Sequence, residues 1–595
     1  MSAYFKTIYR MFRRHIIRFI NIVAIIIVSI GFMSGVGELQ HKVELGFDSE
    51  YKSQNISDIF IKSTSDAGFD ERQLQSVKDN MQGWGLKDIK YALSYDEIVD
   101  GDIVRFYYMD LNDVPLNKFS LIDGRLPEKF NEVVVERRTD VIKGYEIGQT
   151  ITITLDNRFP MSYEVVGIIE NPLIKIKKEE PSYLDSDESI VNAVYFSITP
   201  PVVSDIYLTL EDRNLFDSFS SSYEDKIEYL SEQISLLLPE ATILGLAENY
   251  AISSLLAYAD KVGLIAIIFV VFFMLVTALV VFSNMTRLID EERAQIACMK
   301  TLGFSNMKIL LKYLMFISLA TLLGGLVAWP VGYGLTFAIY TSFQTRYVLP
   351  PIPGGGKHLY FLISCIIILA SSLLVTLFVG MKMTRTKPAL LLVPKAPSAG
   401  RKTLLERIPI IWNRFSFKYK SSIRNVFLFK SRFFMTLVSV IGSTILVLAG
   451  FGLLDCVLNN DMAQVIAMIS VALIAFAGAL CVLVVYNIAS MSISERHREI
   501  ATLKVLGYHN AEVVGYIFRE IFITNLIGAL LGIPLGALFM DFVFKLVDIG
   551  SLSDVNWWTW IIAPAVTMVF TAITVLLLLK KIIKVDMNAS LKAVE

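Results

Sequence analysis

Long apolar runs separated by charged turns set the plan of this chain. A helix that spans a bilayer needs about 20 predominantly apolar residues. Eight runs meet that length, near residues 16–37, 261–284, 310–338, 359–381, 433–456, 463–488, 514–540 and 558–580. The third and seventh exceed a minimal span, so tilt or kinking is expected there. From about 41 to 257 the pattern changes to short alternating segments. Residues 58–62, 105–109, 121–127, 132–136, 148–154 and 163–169 read as strands separated by Gly, Pro and Asn turns. Residues 69–78 read as an amphipathic helix with Asp70 as N-cap, and 221–258 as helix leading into the second span.

An internal repeat carries the strongest signal. Sliding the chain by about 204 residues aligns 289–332 with 493–536 without a gap. Glu291 meets Glu495, Lys300 meets Lys504, Leu302-Gly303 meets Leu506-Gly507, and Asn306 meets Asn510. Further on, Gly324, Pro330 and Gly332 meet Gly528, Pro534 and Gly536. Arg10 and Arg18 before the first span also have the spacing of Arg424 and Arg432 before the fifth. The fold class expected is a polytopic α-helical membrane protein of eight spans in two four-helix halves, with an α+β extracytoplasmic domain. Its segments are 1–40 (N-terminal cytoplasmic segment and first span), 41–257 (extracytoplasmic domain), 258–390 (second to fourth spans), 391–430 (basic cytoplasmic linker) and 431–595 (fifth to eighth spans).

Each copy of the repeat opens with an amphipathic helix. Ile289, Ile296 and Met299 share one face, as do Ile493, Ile500 and Leu503. The other positions are charged: Glu291, Glu292 and Arg293 in the first copy, Glu495, Arg496, Arg498 and Glu499 in the second. Gly303 and Gly507 can supply left-handed C-caps, and Asn306 and Asn510 can N-cap the helices that follow. One such helix reads equally as an interfacial anchor or as a lever; two matched copies favour levers that dock a two-fold cytoplasmic partner. Gly324, Pro330, Gly332, Gly528, Pro534 and Gly536 suit close helix packing or a local bend.

Composition sharpens this. Of 595 residues 54% are hydrophobic and 19% charged, and the mean hydropathy is +0.54, which suits a lipid-embedded chain. A net charge of −1 gives no support to a nucleic-acid partner. The first run follows Lys6, Arg10, Arg13, Arg14 and Arg18 but runs on without a small-x-small cleavage site, so it reads as a retained span. The 382–432 connection is rich in Lys and Arg against one acid, Glu406, and the tail carries Lys580, Lys581, Lys584 and Lys592. The positive-inside bias puts both termini and this connection in the cytoplasm.

Catalytic chemistry is missing from the pattern. Cys298, Cys365, Cys456 and Cys481 have no metal-ligand spacing, and the five histidines do not cluster. Gly354-Gly-Gly-Lys357 is followed by His358 rather than the Ser or Thr of a phosphate loop. Lys175 to Glu180 reads as a solvated loop. The spans are nearly free of charge, with Arg519 and Glu520 close to one end of the seventh, which disfavours ion-coupled transport.

The stretch Ser494 to Gly507 closely resembles the signature of FtsX-like permease domains, and Asp290 to Gly303 is a more degenerate copy, with Ala294 and Gln295 in place of the usual basic and acidic residues. Asp123 to Pro127, Gly148 to Thr150 and Val165 to Ile169 resemble the MacB-like extracytoplasmic domain. The resemblance implies an ABC transporter permease in a bacterial cell membrane, not itself an enzyme and binding no cofactor, with ATP and Mg on a separate cytoplasmic ATPase dimer. It implies coupling to that dimer through Glu291, Glu292, Arg293, Lys300, Gly303, Glu495, Arg496, Arg498, Glu499, Lys504 and Gly507. With both halves in one chain, the expected ratio is one permease to two ATPases. It further implies mechanotransmission, the ATP-driven movement of an extracytoplasmic domain, for export or extraction of peptides or amphiphiles. The alternative is a signalling complex that activates an envelope or cell-wall enzyme through an extracytoplasmic partner protein.

Overall fold

The computed structural model describes the chain apart from residues 1–2, 66, 100, 112–115, 138–144, 154–159, 178–180, 183–187, 356–357, 393–416, 429, 458–462, 496, 549 and 584–595. The helices α1 (Ala3–Arg14), α2 (Ile16–Gly37) and α3 (Leu39–Gln54) come first. Next are β1 (Ile59–Ser63), α4 (Glu71–Asn80), β2 (Leu86–Val99), β3 (Asp102–Met109), β4 (Ser120–Gly124), β5 (Glu132–Glu136), β6 (Thr150–Ile153), β7 (Met161–Glu170), β8 (Asn192–Ser197), β9 (Asp205–Leu210), α5 (Ser221–Leu237) and β10 (Ala241–Gly245). The remainder is helical: α6 (Tyr250–Glu291), α7 (Arg293–Thr301), α8 (Asn306–Phe343), α9 (Leu359–Thr384), α10 (Pro388–Leu392), α11 (Phe417–Leu428), α12 (Lys430–Val457), α13 (Ala463–Glu495), α14 (His497–Val505), α15 (Asn510–Val547) and α16 (Thr559–Ile583). Two compact units result, a sheet unit of Leu39–Asp260 with Tyr340–Gly356, and a helical unit of the rest.

The sheet unit is an open mixed sheet in the order β10-β1-β9-β2-β3-β8-β5-β7-β4, with β6 also on β7. The long β2 joins its two parts, pairing β9 through Leu86–Ala92 and β3 through Leu93–Val99. Val77 of α4 and Tyr223, Ile227, Leu230 and Ile234 of α5 pack on Ile59, Ile61, Ile206 and Leu208. Each such buried side chain contributes roughly 1.5–3 kcal/mol. Asp70 caps α4 as its sequence suggests: it accepts the Gln73 N–H at 2.7 Å while Gln73 Oε1 accepts the Asp70 N–H at 2.8 Å. Asp58 is fully buried, where it pairs with Arg213 and accepts from Tyr223 Oη (2.6 Å) and the Leu210 N–H (2.8 Å). Burial raises its carboxyl above the usual range.

Three expectations change here. The helix expected over 221–258 is broken after Leu237, since Ala241–Gly245 adds to the sheet edge antiparallel to β1. Pro239 stands at the break and suits the stop. Lys175 is not solvated. It is 1% exposed, pairs with Glu50 at 2.9 Å and lies over the Phe47 ring; Lys178, Glu179 and Glu180 lie outside the described residues. Finally, Tyr340–Gly356, which falls inside the 258–390 segment of the second to fourth spans, belongs to the sheet unit. It is fastened by backbone bonds from the Val348 N–H to Lys175 O (2.7 Å) and the Lys177 N–H to Arg346 O (2.8 Å). Side-chain bonds from Lys177 Nζ to Gln344 O (2.6 Å) and from Lys42 Nζ to Pro353 O (3.1 Å) add to these.

Among the described residues, eight helices are long and apolar enough to cross a membrane. At 1.5 Å per residue the 42-residue α6 and the 38-residue α8 and α15 reach about 60 Å, twice the ~30 Å hydrocarbon core. Pro330 and Pro534 lie inside α8 and α15. The repeat is visible in the packing. A Cβ on Gly324 would meet Ile26 Cβ at 2.9 Å and Val23 O at 3.3 Å, whereas one on Gly528 would meet Val440 Cβ at 2.9 Å and Leu437 O at 3.4 Å. Likewise Gly332 faces Gly31 and Ser34, and Gly536 faces Ile445 and Leu448. Every α2 residue here maps to its α12 counterpart 414 positions on, and every α8 glycine to its α15 counterpart 204 on. A polar pair joins α2 to α6, Ser29 with Thr277 at 2.7 Å; the pair at the matching positions, Ser443 with Cys481, joins α12 to α13. The halves meet on phenyl rings: Phe32 lies 5.4 Å from Phe476, and Phe539 lies 5.8 Å from Phe269 and 5.5 Å from Phe272.

Candidate functional site: two matched elbows

Each half turns sharply between its second and third spanning helices, and the turn is the short helix α7 or α14. Ile296, Ala297 and Met299 are the buried side of α7, while Ile500 of α14 packs with Ile493, Val513, Ile517 and Leu578. Both helices end in the same way. Gly303 has φ +85° and Gly507 φ +89°. The Gly303 N–H donates to Lys300 O (3.1 Å) and the Phe304 N–H to Met299 O (3.0 Å); the Gly507 N–H donates to Lys504 O (3.1 Å) and the Tyr508 N–H to Leu503 O (3.1 Å). These are Schellman ends that require a left-handed residue. The caps of the next helices fall one residue earlier than expected. Ser305 Oγ accepts the Lys308 N–H at 3.4 Å, and His509 caps α15 with Glu512 Oε2 accepting its N–H at 3.2 Å. Asn306 and Asn510 are already inside their helices.

The repeated lysines face inward along the elbow. Lys300 Nζ donates to Thr384 O and Thr386 O, both at 2.7 Å, at the C-terminus of α9. Lys504 Nζ donates to Ile583 O at 3.1 Å, at the C-terminus of α16. An ammonium there satisfies orphan carbonyls and the helix dipole together. Each lysine therefore ties an elbow to the last helix of its own half.

The acids and arginines divide by half. Glu291 pairs with Arg18. Glu292 is 5% exposed and binds Lys312 Nζ at 2.5 Å and Tyr313 Oη at 3.1 Å, so it is a structural anchor of the bend. Arg293 Nε donates to Leu391 O at 2.8 Å. In the second half Tyr516 stands where Lys312 would be. Glu499 is exposed on α14. Arg496, and the side chains of Glu495 and Arg498, lie outside the described residues.

The tips of both elbows expose apolar side chains. Leu302 and Leu506, each just before its glycine, are 75% and 69% exposed. Met307 is exposed beside the first, and Val505 and Tyr508 beside the second. The candidate residues chosen from sequence omit these leucines, although the Leu-Gly pair is part of the repeat. Residue type alone does not tell an exposed leucine from a buried one; its place on the Schellman turn, opposite the buried isoleucines, does.

Two segments of the chain match one family model, the FtsX-like permease C-terminal domain, over residues 267–388 and 471–587. The chain carries two FtsX-like permease domains. Their starts are 204 residues apart, and each FtsX-like domain holds one elbow with the helices on either side and the helix that its lysine ties. Comparison with curated proteins gives no match. These matches, with eight helices among the described residues long and apolar enough to cross a membrane, fit a multi-pass membrane permease subunit of the ABC transporter type. FtsX-like permeases are membrane subunits that work with a cytoplasmic ABC ATPase rather than catalytic subunits. Among the described residues no group of His, Cys, Asp and Glu is placed to hold a metal ion.

Proposed function

We propose that the two elbows dock the two subunits of a cytoplasmic ATPase dimer, one elbow to each, and that this single chain transmits nucleotide-driven closure to its extracytoplasmic sheet unit. The observation that carries the reading is the matched pair of exposed Leu-Gly tips on rigid, lysine-tied elbows. An exposed apolar tip at the water-facing end of a membrane helix has no use in lipid, and suits the centre of a protein interface. The lysine tethers give an elbow displacement a route into α9 and α16. The fastening of Tyr340–Gly356 to the sheet unit gives the far end of α8 a route into that unit, besides the direct connections through α3 and α6.

The packing between the halves supports mechanotransmission over passage through the membrane. A polar or bulky substrate moving between the halves would need the contacts of Phe32 with Phe476 and of Phe539 with Phe269 and Phe272 to part. The sheet unit then works from outside, on peptides or amphiphiles taken from the outer leaflet or the envelope, in a bacterial cell membrane with both termini cytoplasmic. The test is ATP hydrolysis by the cognate ATPase with and without the permease. Leu302→Asp and Leu506→Asp together are expected to abolish permease-dependent stimulation while the chain still inserts; stimulation equal to the unmodified chain would overturn the docking assignment.

A further inference from the structure

The first helix carries an exposed surface that no part of this coupling scheme uses. Wound at 3.6 residues per turn, α1 divides into three sectors. Tyr4, Ile8, Met11, Phe12 and His15 turn toward the protein: Ile8 and Met11 are buried, Tyr4 Oη donates to Lys308 O at 2.6 Å, and the Phe12 ring lies 4.9 Å from Phe316. Phe5 and Tyr9, one turn apart, are 49% and 63% exposed. Lys6, Arg10, Arg13 and Arg14 fill the remaining sector and are all exposed, and α1 contains no acid.

We infer that this exposed face of α1 binds the headgroups of anionic phospholipids in the leaflet around the first span. Two observations select lipid as the occupant. The Phe5 and Tyr9 strip runs on into Ile16, Ile17 and Ile20, which are 45–58% exposed at the start of the spanning helix α2. Exposed isoleucines on a spanning helix face acyl chains, so the aromatic strip lies at the same boundary. The basic sector beside it places four cations at headgroup depth with long stems that can reach outward. The site also adjoins the first elbow, because Tyr4 stacks on Phe304, the residue after Gly303. The second half differs at the same place: Lys418, Lys420 and Arg424 lie on α11, but Tyr419 there faces Arg519. The inference stands on exposure and charge in α1 and does not depend on an ATPase docking at the elbows.

The test uses the full chain with Tyr9→p-benzoylphenylalanine, reconstituted without ATPase in vesicles of phosphatidylcholine containing one part in four phosphatidylglycerol. A second chain carries the same photo-crosslinker in place of Leu326, which is 70% exposed on α8. At low salt the phosphatidylglycerol share of adducts at position 9 should exceed its share of the vesicle several-fold, while position 326 reports the bulk share. In 1 M salt, where the screening length is about 3 Å, the enrichment should vanish. Arg10→Gln with Arg13→Gln should bring the phosphatidylglycerol share at position 9 down to that at position 326, and the salt titration on the otherwise unmodified chain reads the same contact should that variant fail to insert. Equal lipid shares at positions 9 and 326, adducts chiefly to a second protein chain, or no lipid adducts at position 9 would each overturn the inference.

Discussion

At Lys300 one ammonium closes the end of α9, and Lys504 reaches the end of α16 from the matching position. Hydrogen bonds from charged groups are worth about 1.5–3 kcal/mol, so Lys300→Met should loosen the last turn of α9 by about that much. Hydrogen exchange at amides 381–386 is expected to speed up by one to two orders of magnitude. The glycines next to these lysines test backbone rather than packing. Nothing lies within 4 Å of a Cβ on Gly303 or Gly507, so the cost of Gly507→Ala is the left-handed conformation alone, about 1–2 kcal/mol. Glu132 supplies a pH handle in the sheet unit. Its carboxylate accepts two bonds from Arg125, both at 2.7 Å, and the N–H groups of Glu128 (2.9 Å) and Lys129 (3.2 Å). These hold its pKa at about 2, well below the usual 4.5. Because the folded value is the depressed one, the stabilisation is present above pH 4.5 and is lost as pH falls toward about 2. Exchange protection of β5 should fall across that window, and Glu132→Gln should remove that part of the pH dependence.

Helix pairs show what a repeat in sequence can and cannot disclose. That Gly324 and Gly528 occupy matching positions is legible from residue types alone, but what they pack against is not. Ile26 lies about three hundred residues before its glycine while Val440 lies under a hundred before its own, and no local period links them. The spans were legible because apolar length is a one-dimensional property, and the N-cap at Asp70 because its signal is local. The β10 edge strand and the fastening of Tyr340–Gly356 were not, because short strands are specified by partners distant in the chain. Lys175 misled for a related reason. A lysine amid charges reads as solvated unless its buried partner, here Glu50, is known. The glycine contacts also predict an asymmetry between elements and turns. Gly528→Val forces side-chain volume into a contact already at 2.9 Å, and overpacking of this kind costs typically 1–3 kcal/mol. It should lower the thermal midpoint of the purified chain by several degrees, and Val440→Ala should restore part of the loss.

For the molecule as a whole, two FtsX-like domains lie in one chain, and they have diverged where they turn. The first elbow has Ala294 and Gln295 exposed where the second has Arg498 and Glu499. Its own acids, Glu291 and Glu292, are committed to Arg18 and to Lys312. Docking should therefore be unequal. Arg498→Glu with Glu499→Lys should cut permease-stimulated ATP hydrolysis by ten- to a hundredfold, in line with about 1.5–3 kcal/mol for a charge-assisted contact, whereas Ala294→Glu with Gln295→Lys should do less. Equal sensitivity of the two elbows would contradict the division of roles. The central claim is that one chain supplies both docking elbows. Native mass spectrometry of the permease bound to its cognate ATPase in the nucleotide-closed state tests it most directly. The account predicts one copy of this chain with two ATPase subunits, and a mass corresponding to two permease chains per ATPase dimer would contradict it.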